Sequence, residues 1–309
     1  MASAAAASLV AAESILALTP VAIKKTPLDP ISAIWSRLLV SGGLGWLMSN
    51  ERRIPRSEWP TAAALGHANL LHVASSYESF RNLPAGQAMS LLYTYPMWNL
   101  VFASLFSDER VRLREYGYMG IALLGSLLLN ADPGITATSQ IGRAPQRGWG
   151  ILMGLIMALT ESAMHTLLKG VNWMDPAKSV WVVNASASVW LAGLSAVDWV
   201  TDGKLGGGQV STAATWVDAF WLSLFHGATM FSGYWLRFFA VPRLPVVTYS
   251  ILSYAGLLAS YVFGLLFLGE RPGWKSLLGA VLIVASGVLL QRLPPAETKE
   301  KAKVNEKAA

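Results

Sequence analysis

Apolar stretches of roughly 20 residues recur along the whole chain, and short groups of Gly, Pro and charged residues separate them. A helix of that length crosses a hydrocarbon core about 30 Å thick. The pattern therefore predicts ten membrane-spanning helices, near residues 3–23, 31–48, 59–80, 84–106, 116–129, 148–168, 178–197, 216–239, 245–268 and 274–290. The predicted fold class is all-α integral membrane, with many passes and no separate soluble core.

Four residue patterns occur once in each half of the chain and in the same order, which indicates an internal repeat. They are Asp29-Pro30 with Trp35 against Asp175-Pro176 with Trp181, Trp59 with Tyr77 against Trp216 with Tyr234, Glu109-Arg110 against Glu270-Arg271, and Gly117 with Gly125 against Gly279 with Gly287. Five spans per half is an odd number, so the second half would enter the membrane inverted. We expect two inverted five-helix repeats, 1–130 and 148–291, joined by a loop at 131–147 and followed by a polar, disordered cytoplasmic tail at 292–309.

Composition narrows the class of function. The chain has 309 residues, of which 53% are hydrophobic and 14% charged, so ten spans leave no room for an extramembrane catalytic domain. It has no cysteine, which excludes thiolate catalysis and cysteine-bound metals. We find no phosphate-cradling loop and no nucleophile-base motif. The sequence predicts neither an enzyme nor a bound cofactor or metal.

The charge of +6 is spread over the loops, where the positive-inside rule explains it without nucleic acid. Counting Lys and Arg on the two sides places both termini in the cytoplasm. The first span has no basic segment before it and is followed by Lys24 and Lys25, so we interpret it as a retained span. The segment before the first span is short, and we therefore expect the plasma membrane rather than an organellar membrane.

Several motifs give the chain a family resemblance. They are Pro84-Ala85-Gly86-Gln87-Ala88, Tyr95-Pro96, Asp108-Glu109-Arg110, and Leu268-Gly269-Glu270-Arg271. Over residues 3–291 the sequence resembles the drug/metabolite transporter superfamily, in particular its EamA-like members. The resemblance implies alternating access across a central cavity, a small-molecule substrate, and a homodimer through the peripheral fifth and tenth helices. Pro96 has no counterpart in the ninth span, where Gly256 and Leu257 stand, so we expect a different bend there.

Two acidic residues lie in the middle of predicted spans, where an ionised group is costly. Glu13 is in the first span and Glu161 is in the sixth, its counterpart in the repeat. They could face one cavity and serve cation recognition or proton coupling. The alternative is a buried acid that is hydrogen-bonded to a neighbouring helix. His165 follows Glu161 by one helical turn, so the two could pair.

Histidines and paired tyrosines supply the remaining candidates for substrate contact. His67 and His72 are five residues apart and so lie on different helix faces, which argues against a metal site. Interhelical hydrogen bonding is the alternative use of a histidine, and core packing is the alternative use of a tyrosine. The predicted substrate-binding set is Glu13, His72, Tyr77, Tyr93, Glu161, His165, His226, Tyr234 and Tyr254.

A second set of charged residues is expected to act in structure or gating. Arg37 lies within the second span, and the resemblance favours an ion pair or a contact near the cavity mouth. Arg237 lies near a cavity end, and the pairs Glu109-Arg110 and Glu270-Arg271 stand where spans end. Helix termination with a local ion pair explains those two pairs more simply than a gate does.

These residues predict a secondary transporter or facilitator of small polar metabolites, with amino acids or amines slightly favoured. Phosphorylated substrates would call for convergent basic residues, and only Arg37, Lys169 and Arg237 are near the predicted cavity. The alternatives are an exchanger of nucleotide sugars or phosphorylated metabolites and, in another class, a non-transporting membrane scaffold or receptor.

Overall fold

A computed structural model describes residues 2–83, 85–106, 112–129, 146–171, 175–200, 216–269 and 273–292. These residues form α-helices and two short 3-10 turns, and none of them is in a strand, which confirms the all-helical prediction. The helices are α1 Ala2–Leu16, α2 Thr19–Lys25, α3 Pro30–Met48, α4 Trp59–Asn82, α5 Ala85–Leu92, α6 Tyr95–Phe106, α7 Leu113–Leu129, α8 Arg147–Lys169, α9 Pro176–Val200, α10 Trp216–Ala240, α11 Val246–Leu252, α12 Tyr254–Leu268 and α13 Trp274–Gln291.

Five of the helical stretches are long and apolar enough to cross a membrane, namely Ser3–Lys25, Pro30–Met48, Arg147–Lys169, Pro176–Ala196 and Val246–Leu268. Helix α4 is as long as these but carries many polar side chains, and several of them, including Asn69, His72, Ser75 and Ser76, are buried. Large apolar side chains such as Leu105, Phe106 and Val189 are exposed instead. This distribution suits a molecule whose surroundings are lipid and whose polar groups face inward.

Three predicted spans are interrupted by a break in the helix. The first divides between α1 and α2, because Pro20 has no N–H to donate to the Leu16 carbonyl, and Thr19 Oγ1 donates to that carbonyl instead at 2.6 Å. The fourth divides between α5 and α6, just before Pro96.

The ninth span divides between α11 and α12 at Ser253. No proline is present there, and the Ser253 hydroxyl donates to the Tyr249 carbonyl at 2.9 Å. Both spans are therefore broken at matching places, although only the fourth has a proline there.

Helices from the two halves of the chain pack against each other as antiparallel pairs. In α3 and α9, a Cβ at Gly45 would lie 2.9 Å from the Trp181 amide nitrogen, while farther along Trp35 Nε1 donates to Ser195 Oγ at 3.1 Å. Helix α4 runs antiparallel to α8 and α1 antiparallel to α10 in the same way, and α7 packs against α13. The repeated Asp-Pro sequences begin α3 and α9, where Asp29 accepts from the Ser32 amide and Asp175 from the Ala177 amide.

Candidate functional site

A buried ion cluster joins three helices. Arg237 of α10 donates from Nε to Glu13 Oε1 at 2.9 Å and from Nη2 to Glu13 Oε2 at 2.8 Å, which is a bidentate pair. Its Nη1 donates to Oε1 of Glu161 on α8. All three side chains are almost completely buried. The two acids that the repeat relates therefore share one guanidinium.

Close helix packing explains how α1 reaches Arg237. A Cβ at Gly233 would lie 2.5 Å from Leu16 Cγ, so only glycine permits this approach of α1 to α10. Arg237 lies one helical turn after Gly233, and Glu13 lies about one turn before Leu16. Because the two helices are antiparallel, the acid and the guanidinium meet on adjacent turns.

Glu161 keeps one carboxylate oxygen without a hydrogen bond. His72 Nδ1 lies 3.4 Å from Glu161 Oε2, but it also lies 3.1 Å from the Met157 carbonyl, which can only accept. Oε2 has no hydrogen-bond donor among the described residues. On the other oxygen, His165 Nε2 lies 3.6 Å from Oε1, one turn along the same helix. The free oxygen is an acceptor that a ligand can use.

Tyrosines beside the broken helices surround the cluster. Tyr93 follows α5 and donates to Glu13 Oε2 at 3.2 Å. Tyr249 on α11 places its hydroxyl 2.6 Å from the ring nitrogens of His165. Tyr95, at the start of α6, packs its ring edge-on against His165 with 5.3 Å between the ring centroids. The breaks thus bring aromatic hydroxyl groups to the ion cluster.

Arg37 of α3 is a second buried guanidinium, but its surroundings differ from those of Arg237. Its Nη2 donates to Tyr234 Oη at 3.4 Å, and its Cζ lies 6.0 Å from the centroid of that ring. Within the part of the chain that the structure describes, no carboxylate oxygen lies within 4 Å of Arg37. Tyr234 also contacts the other arginine, since Arg237 Cζ lies 5.4 Å from the same ring.

A small central cavity lies among these side chains. It encloses about 30 Å³, which is room for about one water molecule. Its walls combine charged, polar and apolar groups. They are Leu16, Thr19, Arg37, His72, Ser76, Phe80, Met89, Leu92, Tyr93, Met157, Glu161, Met230, Tyr234 and Arg237.

A larger vestibule of about 280 Å³ lies next to the cluster, near the ends of α6 and α8 and the start of α11. Its lining includes His165, Tyr249 and Asn99. Since His165 also lies beside Glu161, the His165–Tyr249 contact stands between the vestibule and the ion cluster. Asn99 accepts from Ser162 Oγ at 2.8 Å and donates to Ser250 Oγ at 3.3 Å, which ties α6, α8 and α11 together.

The structure brings together most of the predicted binding residues. The residues that line the central cavity are His72, Tyr93, Glu161 and Tyr234. Glu13 does not line it but pairs with Arg237, and His165 lines the vestibule. Arg37 and Arg237, which we expected to act in structure or gating, also line the cavity.

Three predicted binding residues lie elsewhere. Tyr77 donates to the Ala33 carbonyl at 3.3 Å and lies 3.3 Å from His226 Nδ1, in a pair that does not line the cavity. Tyr254 is buried beside Tyr93, with 6.1 Å between the ring centroids, and also stays outside the lining. The predicted pairs Glu109-Arg110 and Glu270-Arg271 lie outside the described residues.

Sequence reasoning missed several residues of the site. Tyr95 and Tyr249 have no tyrosine in the matching position of the other half, so a search for repeated pairs passed over them. Met89, Met157 and Met230 carry no polar signal and look like core residues. The available signal for Tyr95 was its position directly before Pro96, where a helix break was foreseeable.

Comparison with known proteins identifies the class. The family model described as "EamA-like transporter family" matches residues 3–131 and 148–291. The chain belongs to this family, so it is a multi-pass integral membrane protein of a transporter family, and the suspected relationship is confirmed. A crystal structure of another protein is similar in fold, with 17% sequence identity, a TM-score of 0.69, and coverage of 94% of this chain and 98% of that one. No curated protein matches the chain.

Proposed function

We propose that the protein is a secondary transporter or facilitator of small polar metabolites, among which amino acids and amines are favoured. The observation that carries the proposal is the ion cluster of Glu13, Glu161 and Arg237, which joins side chains from both halves of the chain beside one small cavity. Ionised groups inside a membrane protein are costly and are typical of substrate or ion pathways.

We further propose ten spans in two inverted five-helix repeats, with the interrupted helices each counted within one span. The contacts between helices support this arrangement. In the proposed repeat, α1 corresponds to α8 and α4 corresponds to α10. The repeat therefore relates the contact of α1 with α10 to the contact of α8 with α4, and both pairs are antiparallel. The second spans, α3 and α9, pack against each other, as do the fifth and tenth, α7 and α13.

Alternating access is the proposed mechanism, and polar ties at the two ends of α4 support it. Near its start, Ser49 Oγ donates to Asp175 Oδ2 at 2.9 Å, and Lys178 Nζ lies 2.9 Å from Glu51 Oε2. At its far end, Trp149 Nε1 of α8 donates to Glu78 Oε2 at 2.9 Å. Each tie joins the first half to the second. Opening the cavity to one side would require the tie on that side to break.

An exchanger of nucleotide sugars or phosphorylated metabolites is the second candidate, because two arginines line the cavity. Arg237 is already paired with two carboxylates, which leaves one guanidinium for a multiply charged anion. Charge balance therefore favours substrates with at most one net negative charge. Saturable exchange of phosphorylated anions, abolished by Arg237→Ala in a preparation shown to be folded, would favour this second candidate.

The test is uptake into proteoliposomes, followed by mass spectrometry, from a mixed pool of amino acids, amines, nucleotide sugars and sugar phosphates. It is run with and without a pH gradient, on the native protein and on a variant with Glu13→Gln and Glu161→Gln. We expect selective uptake of a zwitterion or amine that the double variant loses and that Asp218→Asn, an exposed acid on α10, retains. Dependence on the gradient would support proton coupling.

Two results would count against the proposal. Native rates in the double variant at every pH would remove both acids from the transport mechanism. A folded preparation that takes up nothing would favour the scaffold or receptor alternative.

The remaining proposals concern the assembly and its membrane. We propose that both termini are cytoplasmic, that the plasma membrane is the favoured location, and that a homodimer forms through α7 and α13. The exposed faces of these helices carry apolar residues such as Leu124, Leu127, Val281 and Val284, which supports the proposed contact. Cysteine cross-linking at Leu124→Cys, on this naturally cysteine-free chain, tests it in native membranes.

A further inference from the structure

Arg37 is a buried cation that has no carboxylate oxygen within 4 Å among the described residues. Its side chain is 2% exposed, and its one polar contact among the described residues is the 3.4 Å bond to Tyr234 Oη. A guanidinium offers five N–H donors in a planar fork that matches a carboxylate. Leaving such a group buried without an anion is costly. Because Arg37 lines the cavity, a bound ligand can supply the missing anion.

The cavity offers an acceptor as well as this donor. Glu161 lines the same cavity, and its Oε2 has no hydrogen-bond donor in the part of the chain that the structure describes. A carboxylate oxygen accepts hydrogen bonds from an ammonium group. The walls of one cavity therefore include a guanidinium that makes one hydrogen bond and a carboxylate whose Oε2 accepts none.

The charges in the cluster select the class of ligand. Glu13 and Glu161 carry two negative charges, and Arg37 and Arg237 carry two positive ones, so the four sum to zero when the imidazoles are neutral. A zwitterion keeps that sum, whereas an amine or a simple carboxylate changes it by one unit. Adding a net charge to a buried site is unfavourable.

The rest of the wall indicates where an apolar side chain would lie. Met89, Met157 and Met230 line the cavity together with Leu16 and Phe80. Methionine is flexible and polarisable, so it adapts to side chains of different shape. The wall thus suits a small apolar group attached to the charged end of a ligand.

We propose that Arg37 binds the carboxylate of a zwitterionic α-amino acid once the cavity, which here has room for about one water molecule, has opened to admit it. Glu161 Oε2 then accepts from the ammonium group, and the apolar side chain packs against the three methionines. This inference rests on the proposed transport function and names the substrate class and the residue that selects it. Arg37, expected from the sequence to act in structure or gating, becomes the anchor for the carboxylate.

Three matched compounds test the proposal by ligand-induced thermal stabilisation of the purified full chain: L-leucine, 3-methylbutylamine, which lacks the carboxylate, and 4-methylpentanoate, which lacks the ammonium group. The other standard amino acids are tested in the same way. We expect an apolar amino acid to bind at least about tenfold more tightly than its amine or acid counterpart, since each lacks one charge-assisted contact.

Substitution of Arg37 then separates recognition from a structural role. In Arg37→Gln, the affinity for the amino acid should fall about 10- to 100-fold, while that for the amine should not fall, because the positive charge of the amine then replaces the one removed from the site. Arg37→Lys should recover part of the loss, and Arg56→Gln, an exposed arginine in the loop before α4, should change neither. Equal losses for amino acid and amine in Arg37→Gln would overturn the proposal, as would unchanged affinity for the amino acid.

The native protein decides the matter if Arg37→Gln does not fold. The proposal is overturned if the amine binds as tightly as the amino acid, or if none of the standard amino acids binds. Uptake of other solutes in the proteoliposomes, without amino-acid binding, would leave the transport function intact and remove this inference. Tight amino-acid binding without any uptake would keep this inference and count against the transport function.

Discussion

Arg237 neutralises two buried carboxylates that come from opposite halves of the chain. Removing it leaves both acids in an apolar interior, and breaking a buried ion pair by losing one partner costs about 3–5 kcal/mol. We therefore predict that Arg237→Gln lowers the melting temperature of the purified protein far more than Arg243→Gln. Arg243 is the matched control, because it is exposed and, among the described residues, contacts the carbonyl and ring of Phe239.

A second substitution tests the cause of that loss. Adding Glu13→Gln to Arg237→Gln removes one of the unpaired acids, so part of the lost stability should return. If the double variant melts lower than Arg237→Gln alone, the destabilisation arises from packing and not from the unpaired charge.

Tyr77 and Tyr234 occupy matching positions in the two halves, which allows the same substitution in two surroundings. Tyr234 lines the cavity and accepts from Arg37, whereas Tyr77 contacts the Ala33 carbonyl and His226. We predict that Tyr234→Phe weakens substrate affinity about three- to tenfold, as expected for one hydrogen bond. Tyr77→Phe should leave the affinity unchanged. Equal effects on the transport KM would contradict the placement of the cavity.

The residues of the site were predictable to the extent that they are polar in an apolar sequence. Glu13 and Glu161 stand out for this reason, and the structure brings them to one guanidinium. The sequence could not predict that both acids pair with Arg237, because this contact depends on the rotation of α10 against α1 and α8. Membrane helices are apolar on nearly all faces, so hydropathy does not indicate which face turns inward.

At the scale of helices, one glycine sets the distance between α4 and α9. A Cβ at Gly66 would lie 2.6 Å from the Ser186 carbonyl carbon and 2.7 Å from the Ala187 nitrogen, both of them backbone atoms that cannot turn aside. We predict that Gly66→Ala costs about 1–3 kcal/mol of stability, as overpacking does. Gly43→Ala is the control, since a Cβ there meets nothing within 4 Å.

The two substitutions should change the stability of the protein differently, with Gly66→Ala lowering it and Gly43→Ala not lowering it. Gly43 lies in the exposed face of α3, where alanine is the better helix former by about 1 kcal/mol, so its replacement should be neutral or stabilising. Thermal unfolding in one detergent measures both variants. A Gly66→Ala protein as stable as native would show that α4 and α9 can separate without cost.

The positions of the helices could be predicted from hydropathy and from the Gly, Pro and charged residues between the apolar stretches. The breaks within the helices could be predicted only in part. Proline explains the interruptions at Pro20 and near Pro96. Ser253 interrupts the ninth span without proline, through a hydroxyl bond to the Tyr249 carbonyl that serine also forms inside unbroken helices. The sequence signal at that position is therefore ambiguous, and the different bend that we expected in the ninth span stays a prediction.

For the whole molecule, the decisive property is whether the central cavity opens. In this conformation it has room for about one water molecule, and the two halves are tied to each other at both ends of α4. A transporter must expose this cavity to each side in turn, whereas a scaffold has no need to open it. Because the chain has no cysteine, a single introduced thiol reports solvent access without background.

Ser76 and Val73 lie one turn apart on α4 and are both buried, but only Ser76 lines the cavity. We predict that a methanethiosulfonate reagent modifies Ser76→Cys at least about tenfold faster than Val73→Cys in membranes, because opening of the cavity wets the first position and leaves the second packed. A transported solute should slow the reaction at Ser76→Cys. Equal, slow labelling at both positions would mean that the cavity stays closed, and alternating access would then have to be abandoned for this protein.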